Sequence, residues 1–284
     1  MTDFKKELQK TSRNSIRLNI GGSVEHTVGA TKFGGKPDVP KGFEWCYYEG
    51  EDYMEGVVKP RPLSFLAQFD LAEISRYDTE GLLPKTGLLS FFYECESARW
   101  GYDPKDKGCA RVFFFEDTSG LEPAGFPDDL AEDMRFPEFK ISASSERSFQ
   151  SYADFLVQRD PRSDWWEKFE SAQKSLNIEE PGESSKLLGW ADIIQGNMTR
   201  ECELVASRGY YLGDGWDDVT PRDRQEAEQW ANRDWLLLFQ LDSVLDDGNF
   251  ELIFGDGGRI YFYIRREDLE ARNFDNVWLI LQCC

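Results

Sequence analysis

A chain of 284 residues with 53 Asp/Glu against 33 Lys/Arg carries a net charge of −20, which repels phosphate backbones and argues against ordinary nucleic-acid binding. The acids are scattered rather than blocked, so they read first as a solvating surface. The longest apolar runs, such as Trp235 to Phe239, fall far short of the ~20 residues a membrane helix requires, and no membrane association is expected.

Residues 2–12 read as a short amphipathic helix with Phe4 and Leu8 on one face. No apolar stretch follows Lys5 and Lys6, so no signal peptide is expected. Gly and Pro punctuate 21–42. Residues 62–70 read as a buried strand, and 70–76 as one helical turn. Aromatic-rich strands are expected at Leu88 to Tyr93 and Arg111 to Phe115. Residues 117–162 are the least regular stretch. A helix is expected at 163–177, capped by Ser163, with Trp165, Phe169, Ala172 and Leu176 on one face. Glu179 to Ser185 reads as a linker. Thr220 and Pro221 open a charged surface helix, as N-cap and first position. Strands follow at 235–241, 250–254, 259–264 and 277–282, with Asp256-Gly257 as a hairpin turn.

One internal repetition emerges. Leu63 to Asp70 aligns with Trp235 to Asp242, which superimposes Gln68 on Gln240 and Asp70 on Asp242. Gly87 to Tyr93 aligns with Gly258 to Ile264, and Gly35 to Val39 with Gly189 to Ile193, which places Asp38 on Asp192. Val112 to Phe115 is matched to Val277 to Ile280. The order of these matches points to two copies, about 33–116 and 187–284, joined by an irregular or helical segment at 117–186. The expected fold is α+β and β-rich. It is read as one domain over 1–284, in which two divergent, mostly antiparallel sheet units pack pseudo-symmetrically with a few peripheral helices. A cleft between copies would be the natural ligand site.

The chemistry is sparse. His26 is the only histidine, so multi-histidine metal centres are excluded and any Ser-His or Cys-His device would have to use it. There is no nucleophile elbow and no P-loop; Gly255-Asp256-Gly257-Gly258 lies between strands and reads as a turn. Cys46, Cys95, Cys109, Cys202, Cys283 and Cys284 include no CxxC pair, which suits reduced thiols and a cytoplasmic location. Neither Asp214, Asp217 and Asp218 nor Asp246, Asp247 and Asn249 have calcium-loop spacing. No metal or cofactor is therefore expected. Gln68 and Gln240 interrupt apolar strands, and a buried amide must be hydrogen-bonded. They read either as ties to neighbouring backbone, with Asp70 and Asp242 capping the following turn, or as a pair of amides facing a shared cleft. Trp45, Trp100, Trp190 and Trp216 lie in or beside Gly/Asp-rich loops, where they fill a core or stack on a ligand.

The chain resembles the YwqG-like family of bacterial proteins, a family of unknown function. The matching stretches are Gly34 to Pro40, Pro62 to Leu71, Leu188-Gly189-Trp190 with Ile194-Gln195, Leu237 to Asp242, and Gly255 to Gly258 with Ile260 to Phe262. The resemblance implies a β-rich α+β fold and supplies no catalytic residue. Repetition and resemblance together single out Asp38, Gln68, Asp70, Trp190, Asp192, Gln195, Gln240, Asp242 and Asp256 as candidate cleft residues. The leading expectation is a non-enzymatic binding or interaction module. A carboxylate-dependent hydrolase at the cleft between copies is the second, and an immunity-type protein that binds a basic partner the third.

Overall fold

The structure, a computed structural model, describes residues 3–22, 27–51, 56–97, 99–157, 159, 162–178, 184–246 and 250–283. His26, Asp247, Asn249, Cys284 and most of the expected linker at 179–185 lie outside the described residues.

A ten-stranded sheet organises the chain. Its spatial order is Trp278–Gln282, Arg259–Arg265, Trp235–Asp242, Ser185–Leu187, Arg13–Ile20, Phe139–Ser148, Lys32–Phe33, Ser64–Asp70, Leu88–Tyr93 and Ala110–Phe115. Every neighbouring pair is antiparallel. Phe91 and Phe239 stand six strands apart in this order, about 29 Å if the sheet were flat. Their ring centroids are 4.7 Å apart. The sheet therefore curls back on itself and is nearly closed. The core lies between its two arms, where Phe69 and Phe91 of one arm meet Phe239 and Phe262 of the other edge-on or tilted.

Alternation assigns each side chain to a layer. Leu236, Leu238 and Leu241 face the inter-arm core with Ile260, Phe262 and Ile264. Trp235, Leu237, Tyr261 and Tyr263 face outward, onto a second core with Met198, Cys202, Leu204 and Ala227 from two helices. Both faces are covered, so all eight residues of Trp235–Asp242 are buried. Phe4, Leu8, Phe155 and Phe169 form a third, helical cluster.

Two sheet segments share a register. Gln68 pairs with Ser90 and Ala67 with Phe91, while Gln240 pairs with Tyr261 and Phe239 with Phe262. Each pairing shifts at the same place, between Phe65 and Ala67 and between Leu237 and Phe239. The next strand departs from the sequence alignment. Val112 pairs with Phe91 and Leu279 with Phe262, so by register Val112 matches Leu279, two residues beyond the Val277 of the sequence alignment.

Several expectations are corrected. Phe139–Ser148 is the longest strand of the sheet and runs through the stretch read as irregular. With Arg13–Ile20, also not foreseen, it forms the sheet's centre. The expected hairpin around Asp256-Gly257 is reduced to a single bridge, Phe254 to Gly258; Phe250–Leu252 pairs instead with Val244–Asp246. Helix Trp165–Ser175 begins after Asp164, not Ser163; the Asp164 carboxylate is drawn to Lys168 rather than to the helix N-terminus. The Thr220 cap holds: its hydroxyl accepts from Asp223 N–H at 3.1 Å. No helix among the described residues is long and apolar enough to cross a membrane.

Candidate functional site

The nine candidate residues do not converge on one cleft. Six of them, with two lysines, make two buried clusters built alike. In the first, Gln68 Oε1 accepts from Asp38 N–H at 3.0 Å. Its Nε2 donates to Ala30 carbonyl at 2.9 Å and to Asp38 Oδ2 at 2.6 Å. Lys32 Nζ lies 3.8 Å from Asp38 Oδ2. In the second, Gln240 Oε1 accepts from Asp192 N–H at 2.8 Å. Its Nε2 donates to Ser184 carbonyl at 2.6 Å and to Asp192 Oδ2 at 2.8 Å, and Lys186 Nζ is 2.7 Å from that oxygen. Asp70 N–H donates to Thr31 Oγ1 and Asp242 N–H to Ser185 Oγ, at 3.0 and 3.1 Å. A left-handed dipeptide precedes each aspartate: Gly34 and Gly35 in one, Leu188 and Gly189 in the other, all at φ between 60° and 79°. Both glutamines are fully buried.

Each amide thus ties a loop to its strand, and the carboxylates follow suit. Asp70 Oδ1 caps the next helix through Ala72 N–H at 2.9 Å. Asp242 Oδ2 accepts from Ser184 N–H and Arg259 Nε, both at 2.8 Å. Trp190 is buried, donates from Nε1 to Thr11 carbonyl, and carries the Arg13 guanidinium 3.6 Å from its ring centroid. Burial lowers the Arg13 value to about 10, against the pull of the buried Asp154. Asp256 is exposed at its turn.

Of the nine, only Gln195 lines a cavity of about 870 Å³ that opens between residues 51–106 and 195–216. One wall is the loop from Arg99 to Asp106. It is fixed to the sheet edge: Leu281 N–H donates to Trp100 carbonyl at 3.0 Å, and Trp278 Nε1 to Gly101 carbonyl at 2.9 Å. Gly101 sits at φ +83°, and a Cβ there would meet Leu279 carbonyl oxygen at 1.8 Å, so only glycine permits this approach. The facing wall is held by Gln282, which sequence reading did not single out. Its Oε1 accepts from Ile194 and Gln195 N–H and its Nε2 donates to Gly196 carbonyl, each at 3.1 Å. Leu212 N–H donates to Tyr102 carbonyl at 2.8 Å and joins the two walls.

Trp100, Tyr102, Tyr211 and Trp216 supply the aromatic lining. Two carboxyls stand out among them. Helix Met198–Cys202, capped by Asn197, presents Glu201; its Oε2 is buried and accepts no hydrogen bond among the described residues. Burial pushes the Glu201 carboxyl up to about 7, with Arg200 as a weaker opposing influence. Asp106 is 3% exposed. Burial raises it too, while Gly101 N–H, donating at 2.9 Å, and Arg99 hold it down. Neither carboxyl is a leading influence on the other. Trp100 and Trp216 were among the loop tryptophans open to a ligand role; Glu201 and Asp106 carry no motif that could have flagged them. Among the described residues no group of three or more His, Cys, Asp or Glu is placed to hold a metal ion.

The model of a family described as a domain of unknown function, DUF1963, matches residues 31–283. No curated protein matches the chain.

Proposed function

We propose a ligand-binding role for this protein from one premise: the chain belongs to the DUF1963 family, a domain of unknown function. The cavity between residues 51–106 and 195–216 is the site. One observation carries this reading. This concavity is aromatic-lined and gathers two carboxyls, buried Asp106 and half-buried Glu201, whose protonation burial has shifted, which is the usual signature of a functional pocket. Six of the repeated residues, Asp38, Gln68, Asp70, Asp192, Gln240 and Asp242, serve it indirectly, as ties that hold loops against the sheet.

The scaffold is read as two divergent copies related by a pseudo-twofold axis between Arg13–Ile20 and Phe139–Ser148. The matching registers, the matching shifts and the two glutamine clusters support this, and so does a strand order that reads alike outward from that centre.

A second reading is favoured by one fact. A carboxyl near 7 can serve as a general acid, so the cavity could host a carboxylate-dependent hydrolase. Binding is preferred, because two catalytic carboxyls that share a site normally perturb each other, and these two owe their values to burial. Soaking a fragment library into crystals of the protein tests the site. Fragments should collect against Trp100 and Trp216. Fragments that collect elsewhere and leave this cavity empty would overturn the assignment.

A further inference from the structure

The lining also specifies the charge of the ligand, an inference that rests on the cavity being the binding site. Among the described residues that line it, Glu51, Asp103, Asp106 and Glu201 stand with one cation, Arg99, whose Nη1 lies 3.9 Å from Asp106 Oδ1. Two carboxyl oxygens, Asp106 Oδ1 and Glu201 Oε2, are buried and accept no hydrogen bond from the described residues. A buried acceptor without a donor costs free energy, so either carboxyl gains by turning toward a ligand N–H in the cavity. The aromatic faces point the same way, because ring quadrupoles attract cations. Trp216 already shows this preference: the guanidinium carbons of Arg200 and Arg224 stand 5.1 and 5.6 Å from its ring centroid. Anions are disfavoured by the local carboxyls and by the net charge of −20. A neutral polyol would meet a lining rich in acceptors and poor in donors.

We propose that this cavity binds the ammonium group of an aliphatic amine, its methylenes lying along Trp100 and Trp216 and its charge at Glu201 and Asp106. Two sources share this chemistry: a free alkyl diamine, or a lysine side chain of a basic partner.

The proposal carries a pH signature. The titratable and charged groups around Glu201 are Arg200, Tyr102, Cys202 and Tyr263. The tyrosines and the thiol are all raised by burial, so none of them ionises near neutrality. Glu201 is left to titrate there. An ammonium ligand favours the ionised carboxylate, so binding expels a proton below a value of about 7. Affinity should rise about tenfold between pH 6 and pH 8.

Isothermal titration of the full chain with cadaverine, at 0.15 M salt and in two buffers of different ionisation enthalpy, reads both affinity and proton release. The account expects one saturable site, about tenfold tighter at pH 8 than at pH 6, with proton release at the lower pH. Glu201→Gln should lose the pH dependence and bind at least tenfold more weakly at pH 8. That variant removes a buried acid and so should fold. Nα-acetyl-lysine methylamide is the second arm: tighter binding than cadaverine assigns the site to a protein lysine, weaker binding to a free amine. 1,5-Pentanediol is the neutral control. If the diol binds as well as cadaverine and displaces nothing in Glu201→Gln, the cation inference falls while the cavity stands as a site. If no probe of either charge binds, the inference and the site assignment fall together.

Discussion

Gln68 and Gln240 should each be worth a measurable and similar amount of stability. Replacing Gln68 with Leu removes three hydrogen bonds and deprives the buried Asp38 N–H and the part-buried Ala30 carbonyl of this partner. Each such loss costs about 1–3 kcal/mol. The leucine recovers part of that by apolar burial, about 1.5–3 kcal/mol at most. The net expectation is a loss of about 1–3 kcal/mol. For a chain of this size that lowers Tm by roughly 2–5 °C. Gln240→Leu leaves Asp192 N–H and Ser184 carbonyl in the same position, so its loss should agree within about 1 kcal/mol. Calorimetric melts of the two single variants at neutral pH measure both. A melt showing no loss in either variant would refute the tie role, and a loss confined to one would refute the equivalence of the two clusters.

Glu201→Gln should change stability in a pH-dependent direction. The folded carboxyl titrates at about 7 against an ordinary value of 4.5, so the folded state holds its proton longer than the unfolded one. Below 4.5 both states are protonated and Glu201 costs nothing; as pH rises through 4.5 to 7 the native state loses up to about 3 kcal/mol. The variant should therefore gain on wild type at pH 8 and match it near pH 4, by denaturant melts at both values. Gly101→Ala should cost at least about 2 kcal/mol, because it combines a left-handed backbone with a Cβ pressed onto Leu279 carbonyl; urea midpoints check this, and an unchanged midpoint would contradict the fixed sheet edge. The cysteines among the described residues are unpaired, so a reductant should leave Tm unchanged, and EDTA likewise at neutral pH.

What sequence could and could not convey follows from burial. Strands covered on both faces announce themselves: Leu88–Tyr93 and Trp235–Asp242 are mostly apolar and were foreseen nearly to the residue. Phe139–Ser148 was not, because it is mostly exposed and reads Lys, Ser, Ser, Glu and Arg along its length. Only its position between Arg13–Ile20 and Lys32–Phe33 makes it a strand, and those pairings are long-range. The glutamines were visible as polar interruptions of apolar runs, and their alignment predicted a common environment before their partners were known. The cavity was harder. Its two walls are about 100 residues apart in the chain and are joined by backbone contacts such as Leu212 to Tyr102, which leave no trace in composition. Trp100 and Trp216 hinted at it from their loops. Glu201 lies on a short helix in a chain with 53 Asp/Glu, and only its sealed Oε2 sets it apart.

The central claim, that ligands enter between Trp100 and Trp216, is tested most directly by the tryptophan indole N–H signals in a proton–nitrogen correlation spectrum. The chain has nine tryptophans, few enough to assign by single substitution. On titration with a mixed panel of small amines and neutral fragments, the Trp100 and Trp216 indole signals should shift first and saturably, while that of Trp190, buried against Arg13, stays fixed. Saturable shifts at other indoles with Trp100 and Trp216 unmoved would contradict it.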